Sequence, residues 1–165
     1  MTINNTWSID SIKELLSTIS DPEIPAISIV ELGIVRDVLL TGELVEVVIT
    51  PTYSGCPAMK MIEDDIRRVL KEAGITSVAV TTIFSPAWTT DWLSEAAKSK
   101  MKQYGIAPPA HVAVPHLLQI NFPKIICPQC NSTETTIQSE FGSTACKAYY
   151  FCRSCRQAFE YFKPF

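Results

Sequence analysis

The 165-residue chain reads as an α+β protein. It predicts a small two-layer α/β sandwich in the order α-β-β-α-β-α, followed by a four-cysteine, zinc-ribbon-like β module. Two observations carry this reading. Segments with helical apolar spacing alternate with short runs dense in Val, Ile and Leu, and Pro, Gly or Ser-Asp punctuates the joins. Two Cys-x-x-Cys pairs, Cys127/Cys130 and Cys152/Cys155, then stand 21 residues apart. The expected division is 1–105 for the sandwich, 106–122 for a linker and apolar connecting segment, and 123–165 for the ribbon.

The elements follow in order. Ile9, Ile12, Leu15, Leu16 and Ile19 recur at helical spacing, with Ser8 as N-cap and Trp7 and Ile12 at staple positions. Ser20-Asp21-Pro22 ends this helix, since proline restricts its predecessor and cannot continue the ladder. The stretches 33–40 and 44–50 flank Thr41-Gly42-Glu43 and predict a β-hairpin. Pro57 suits a first helical position and opens a second helix over 57–73, with Met59, Ile62, Ile66, Val69 and Leu70 as its apolar stripe and Gly74 at its end. A third strand over 75–83 is dense in β-branched residues. Thr89 or Thr90 then caps a third helix running to about residue 104. Ile106-Ala107-Pro108-Pro109-Ala110 predicts a linker, and the apolar Val112, Val114, Leu117, Leu118 and Ile120 follow it.

Composition narrows the function classes. Hydrophobic residues at 47% and charged residues at 19% describe a chain that folds. A net charge of −3 argues against a wholesale nucleic-acid binder. From Asn121 onward five Lys/Arg face three Glu, a surplus of +2 that a divalent metal on four thiolates would offset by about −2. The ribbon is therefore no phosphate-binding patch. The first residues lack the basic and apolar regions of a signal peptide, and no apolar run reaches the ~18 residues of a membrane span. A reducing, cytoplasmic setting is expected, in which six cysteines read as metal ligands or reactive thiols rather than disulfides.

Each Cys-x-x-Cys turn points two thiolates at one point, two such turns close a tetrahedral all-sulfur site, and the stretches 135–139 and 147–151 between them supply the strands of a ribbon. Zinc is the expected occupant of Cys127, Cys130, Cys152 and Cys155, in a structural role; iron or an iron–sulfur cluster is the alternative thiolate chemistry. Cys146 reads as a buried small hydrophobe or as a further ligand. Cys56 precedes Pro57 at a helix start, where free N–H groups and the helix dipole favour a thiolate. No histidine is near it in sequence; His111 and His116 lie in the late apolar segment. Asp21 and Glu23 form a paired-carboxylate candidate, against which stands a simple turn cap with a solvated glutamate. Trp88, Asp91 and Trp92 cluster around a helix start and read as core and dipole residues.

Taken together the motifs resemble a known family. Asp21-Pro22-Glu23-Ile24-Pro25, Glu31-Leu32-Gly33-Ile34-Val35 and Thr50-Pro51-Thr52-Tyr53-Ser54-Gly55-Cys56-Pro57 resemble the iron–sulfur-assembly domain of SufT-like proteins. Ser85-Pro86-Ala87-Trp88-Thr89-Thr90-Asp91-Trp92, Phe141-Gly142-Ser143-Thr144-Ala145-Cys146-Lys147 and the ribbon resemble the PaaD (PaaJ) family, encoded with bacterial phenylacetyl-CoA epoxidase. The resemblance spans nearly the whole chain. It implies an accessory factor in phenylacetate degradation without catalysis of its own, and assembly or repair of the metal centres of the oxygenase components. The flavin/[2Fe–2S] reductase is the foremost implied partner. It implies Cys56 as the motif thiol, with Asp21 and Glu23 as its acidic companions, for iron or an iron–sulfur cluster. An adaptor docking oxygenase components through a structural zinc ribbon is the alternative. No nucleic acid and no membrane are expected as partners; the oligomeric state is open, a homodimer included.

Overall fold

The computed structural model describes residues 7–109 and 124–165. Its chain falls into two compact units, Met1–Trp88 and Thr89–Phe165. The charge divides with them. Residues 1–88 carry six Lys/Arg against twelve Asp/Glu, and residues 89–165 carry eight against five.

In the first unit, helix α1 (Ile9–Leu16) starts at Ser8, whose hydroxyl accepts from the Ser11 N–H while Ser11 bonds back to the Ser8 N–H. This reciprocal cap fixes the start, and Ile12 and Leu16 are buried on the inner face. Strands β1 (Val35–Thr41) and β2 (Leu44–Ile49) form the expected hairpin around Gly42, which adopts φ +61°. Helix α2 (Ala58–Glu72) buries Ile62, Ile66 and Leu70 at helical spacing and crosses over to β3 (Val78–Thr82), which pairs parallel with β2. The sheet order β1-β2-β3 is therefore mixed, with α1 packed on β1 and α2 on β3. Val38, Val45, Val47 and Ile49 are buried beneath them.

Residues 20–34, between α1 and β1, are held tightly. Asp21 N–H donates to Ile27 O (2.8 Å) and Ile29 N–H to Ile19 O (3.0 Å). Ile24, Ile27, Ile29, Leu32 and Ile34 all point into the core. Trp88 is buried too, and its Nε1 donates to Leu32 O at 3.0 Å.

The second unit departs from expectation at its start. The single helix expected from Thr89 to about residue 104 is two pieces: a short 3-10 turn (Thr90–Trp92) capped by Thr89, then helix α3 (Glu95–Gln103) with its own cap at Ser94. Leu93 between them is extended, which breaks the ladder. Helix α3 packs on strand β4 (Ile106–Ala107), part of the expected linker, and β4 pairs parallel with β7 (Ala158–Phe162). The expected boundary at 105/106 thus differs from the division at 88/89, because α3 and β4 build onto the ribbon. Residues 110–122 of the expected connecting segment, with His111 and His116, lie outside the described residues.

The ribbon sheet runs β4-β7-β6-β5, with β5 (Thr135–Ser139) and β6 (Lys147–Cys152) as expected and β7 added after the second knuckle. Its core gathers Ala107, Ile125, Cys127, Ala148, Tyr150, Cys152, Phe159 and Tyr161. Tyr150 stacks on Phe159 and meets Tyr161 edge-on, at centroid separations of 5.9 and 5.7 Å.

Candidate metal centre and assembly site

The two knuckles are the same local structure built twice. Cys127 N–H donates to Ser132 O, and Cys152 N–H donates to Gln157 O, both at 2.9 Å and both five residues on. The residue after each second cysteine, Asn131 or Arg156, turns left-handed at φ 60° and 59°. Each loop then aims backbone N–H groups at its first sulfur: Cys130 and Gln129 toward Cys127, Cys155 and Ser154 toward Cys152.

The four sulfurs converge within 4.8 Å of one another. Across the knuckles, Cys127 Sγ lies 3.7 Å from Cys155 Sγ and Cys130 Sγ lies 3.6 Å from Cys152 Sγ. A tetrahedron with Zn–S bonds of about 2.3 Å has edges of about 3.8 Å, so the donor set and its spacing fit zinc. Electrostatics agree. Backbone N–H donors hold Cys152 down at about 6, while burial pushes Cys155 up to about 12 and raises Cys127. Four thiols so close cannot all ionise unaided, and a divalent cation supplies the missing charge. Cys146 stands apart from this set. It is buried, 3.0 Å from Thr144 Oγ1, as a small core residue would be.

The loop between β5 and β6 is braced by two residues whose role the spacing did not reveal. Lys147, almost wholly buried, pairs with Glu160 at 2.9 Å, and Glu160 also accepts the Ser143 N–H at 2.6 Å. Burial alone would raise the Glu160 carboxyl; the Ser143 N–H and Lys147 outweigh it and hold it below its usual range. Gly142 leaves room for this carboxylate, since a Cβ at that position would come within 2.7 Å of Glu160 Oε1 and displace it. The signal lay in the Phe141–Lys147 motif, but Glu160 is remote from it in sequence.

In the first unit, Cys56 is half-buried at the entry to α2. Its N–H donates to Tyr53 O and its carbonyl accepts from Met59 N–H, each at 3.4 Å, after a turn through Gly55 at φ +86°. The helix start was expected to favour a thiolate. The structure corrects this: burial raises the Cys56 thiol, the Ala58 N–H lowers it, Glu23 raises it again, the Tyr53 side chain lowers it, and Asp21 adds a last upward push. Desolvation and two carboxylates outweigh the donors of the first helical turn.

Asp21 is buried, and its Oδ1 accepts from Glu23 N–H (2.9 Å) and Ile24 N–H (2.8 Å), so it does cap the turn. The charges of Asp21 and Glu23 nonetheless reach Cys56. Thr50, at the head of the Cys56 motif, is buried, and its Oγ1 has no hydrogen-bond partner among the described residues. Among the described residues, the cysteine tetrad is the one set of three or more such ligands drawn together; Asp21, Glu23 and Cys56 do not form another. No described helix is long and apolar enough to cross a membrane.

Comparison with known proteins accords with both parts. Residues 9–82 match a family of iron–sulfur cluster assembly proteins, and residues 115–163 match the PaaD zinc β-ribbon domain. The fold of the first unit is similar to a crystal structure of a domain of unknown function, DUF59, from Bacillus anthracis, with 28% identity and a TM-score of 0.51 over 55% of this chain and 87% of that one. An Fe-S protein maturation auxiliary factor of Porphyromonas gingivalis (strain ATCC BAA-308 / W83) is 34% identical over 53% of this chain and 85% of its own length. A protein of Escherichia coli (strain K12), provisionally named as one of the subunits of 1,2-phenylacetyl-CoA epoxidase, is 49% identical over 94% of this chain and 92% of its own. A zinc ribbon with a metal-binding cysteine cluster, an assembly-type α+β unit before it and a likeness that runs almost end to end place the chain in the PaaD family of phenylacetyl-CoA epoxidase subunits.

Proposed function

We propose that the protein assembles or repairs iron–sulfur or iron centres in the oxygenase and reductase components of a phenylacetyl-CoA epoxidase, and performs no epoxidation itself. The reductase that carries flavin and a [2Fe–2S] cluster is the foremost client, and the setting is the cytoplasm. The observation that carries this reading is the match of residues 9–82 to iron–sulfur cluster assembly proteins, and the charges of Glu23 and Asp21 acting on the Cys56 thiol at the entry to α2 support it. The assembly-domain match contains all three residues.

Iron or a cluster is cargo at this site. Cys56 exchanges its proton for a bond to iron, Glu23 lends an oxygen, and Asp21 adds charge from its place in the turn. A thiol held above its ordinary pKa keeps a strong preference for its proton, which suits a ligand meant to let go. In transfer, a cysteine thiolate of the client bonds to the iron, the Cys56–iron bond breaks, and Cys56 recovers a proton. Cys127, Cys130, Cys152 and Cys155 hold a structural zinc, and the ribbon docks the client.

The test pairs anaerobic purification and metal and sulfide analysis with a cellular assay of the reductase cluster. Cys56→Ser is expected to lose iron and sulfide, keep about one zinc per chain, and lower reductase cluster content. Asp21→Asn, which retains an oxygen for the turn, is expected to fold and lose part of the iron. Unchanged iron, sulfide and reductase cluster in Cys56→Ser would sink the proposal. One observation favours a second reading, a pure adaptor: Asp21 Oδ1 is occupied by the turn and the three side chains are not gathered as a closed ligand set. Under that reading Cys56→Ser is silent, and replacing Cys127 or Cys152 abolishes client binding.

A further inference from the structure

The tetrad is lopsided toward solvent. Cys127 and Cys152 are fully buried, Cys155 is half-buried and Cys130 is exposed. The fold explains this. Cys127 sits in the ribbon core beside Ile125, and Cys152 ends β6. Cys130 lies at the turn tip between the exposed Gln129 and Asn131. Its counterpart in the second knuckle, Cys155, packs against the core cluster. The neighbour of Cys130, Asn131, holds the Lys102 ammonium at 2.6 Å on its Oδ1, which places a cation beside the exposed edge. Across the knuckles, Cys130 Sγ lies 3.6 Å from Cys152 Sγ.

We propose that Cys130 is a peroxide-modification site, and that its oxidised sulfur is closed by Cys152 into a disulfide joining the two knuckles. Reactivity follows thiolate character and access, and among the four ligands only Cys130 has open access. The Cys130 thiolate attacks one oxygen of hydrogen peroxide. An S–O bond forms, the O–O bond breaks, and hydroxide leaves, giving a sulfenic acid. The Cys152 thiolate then attacks that sulfur, an S–S bond forms, and a second hydroxide leaves. Two thiolates lose two electrons in all, the peroxide gains them, and both hydroxides take up protons as water. Cys127 and Cys155 are too few to keep the metal, so the step releases it. The inference rests on the tetrad being a zinc site, and zinc content before peroxide is added tests that part by itself.

The experiment uses the full zinc-loaded chain with substoichiometric hydrogen peroxide. Dimedone traps sulfenic acid, N-ethylmaleimide blocks the remaining thiols, peptide mass spectrometry maps both, and a chromogenic chelator reports zinc. Dimedone is expected first on Cys130, followed by a Cys130–Cys152 disulfide and about one zinc released per disulfide. Cys130→His keeps a nitrogen ligand, and is expected to retain zinc and slow its peroxide-driven release about tenfold. First labelling of Cys155 or Cys127, a Cys127–Cys130 disulfide within one knuckle, or oxidation of Cys56 while the ribbon keeps its zinc would each overturn the proposal. A chain without zinc before peroxide overturns the zinc reading as well.

Discussion

Cys56 shows how one residue was legible in kind but not in state. Its place before Pro57 at a helix entry could be read from the motif, and the structure puts it there. The direction of its acidity could not, because burial and the carboxylates brought in from residues 21 and 23 act through space. This has a measurable sign. A thiol raised in the folded chain binds its proton more tightly than in the unfolded chain, so it favours folding at neutral pH. That contribution is lost as pH rises from the ordinary thiol range through the folded value. Site-resolved alkylation of the metal-free protein across pH is expected to give Cys56 a midpoint above the ordinary value of 9.0. Glu23→Gln is expected to lower it. A midpoint below the ordinary value would mean that the helix entry dominates after all. Asp21 carries a related lesson: it caps the turn, and its charge also acts on the Cys56 thiol through space.

At the scale of elements, periodicity was a good guide wherever one face is buried. α1, α2, the β1–β2 hairpin, β3, β5 and the onset of β6 all lie within the stretches expected of them. It failed where a polar cap restarts a helix, as at Ser94, and where a strand is too short for any period, as in β4. Strand β7 was missed because its identity comes from pairing with β6 and β4. The knuckles offer the sharpest element-level prediction. A left-handed backbone costs a non-glycine residue about 1–2 kcal/mol. Asn tolerates it, and Asn131 also accepts from Lys102. Arg156 at φ 59° has no such excuse. Arg156→Gly is therefore expected to stabilise the zinc-loaded ribbon by roughly 0.5–1 kcal/mol after the entropy cost of glycine. Denaturant unfolding at fixed free zinc checks it, and a loss of stability would show that the Arg156 side chain does more than fill the position.

For the whole molecule, each unit has its own core, but among the described residues only the second gathers its core around a metal-ligand set. Chelation is accordingly expected to abolish amide-exchange protection in β5–β7 while leaving α2 and β1–β3 protected. Equal loss in both units would mean that the sandwich also depends on metal. The two-part architecture was legible because Cys-x-x-Cys spacing is local. The division at Trp88/Thr89 was not, because α3 carries no mark in its own sequence of the strand it packs against. The uneven charge of the units has a practical corollary. The ribbon unit is +3 by residue count, and a divalent metal on four thiolates would contribute about −2. Since Cys152 already ionises at about 6 without metal, loading makes the chain more negative by about one charge at neutral pH. Loaded and empty molecules should therefore migrate as separate bands on a native gel and elute apart from an anion exchanger, which makes metal occupancy a property by which a preparation can be fractionated.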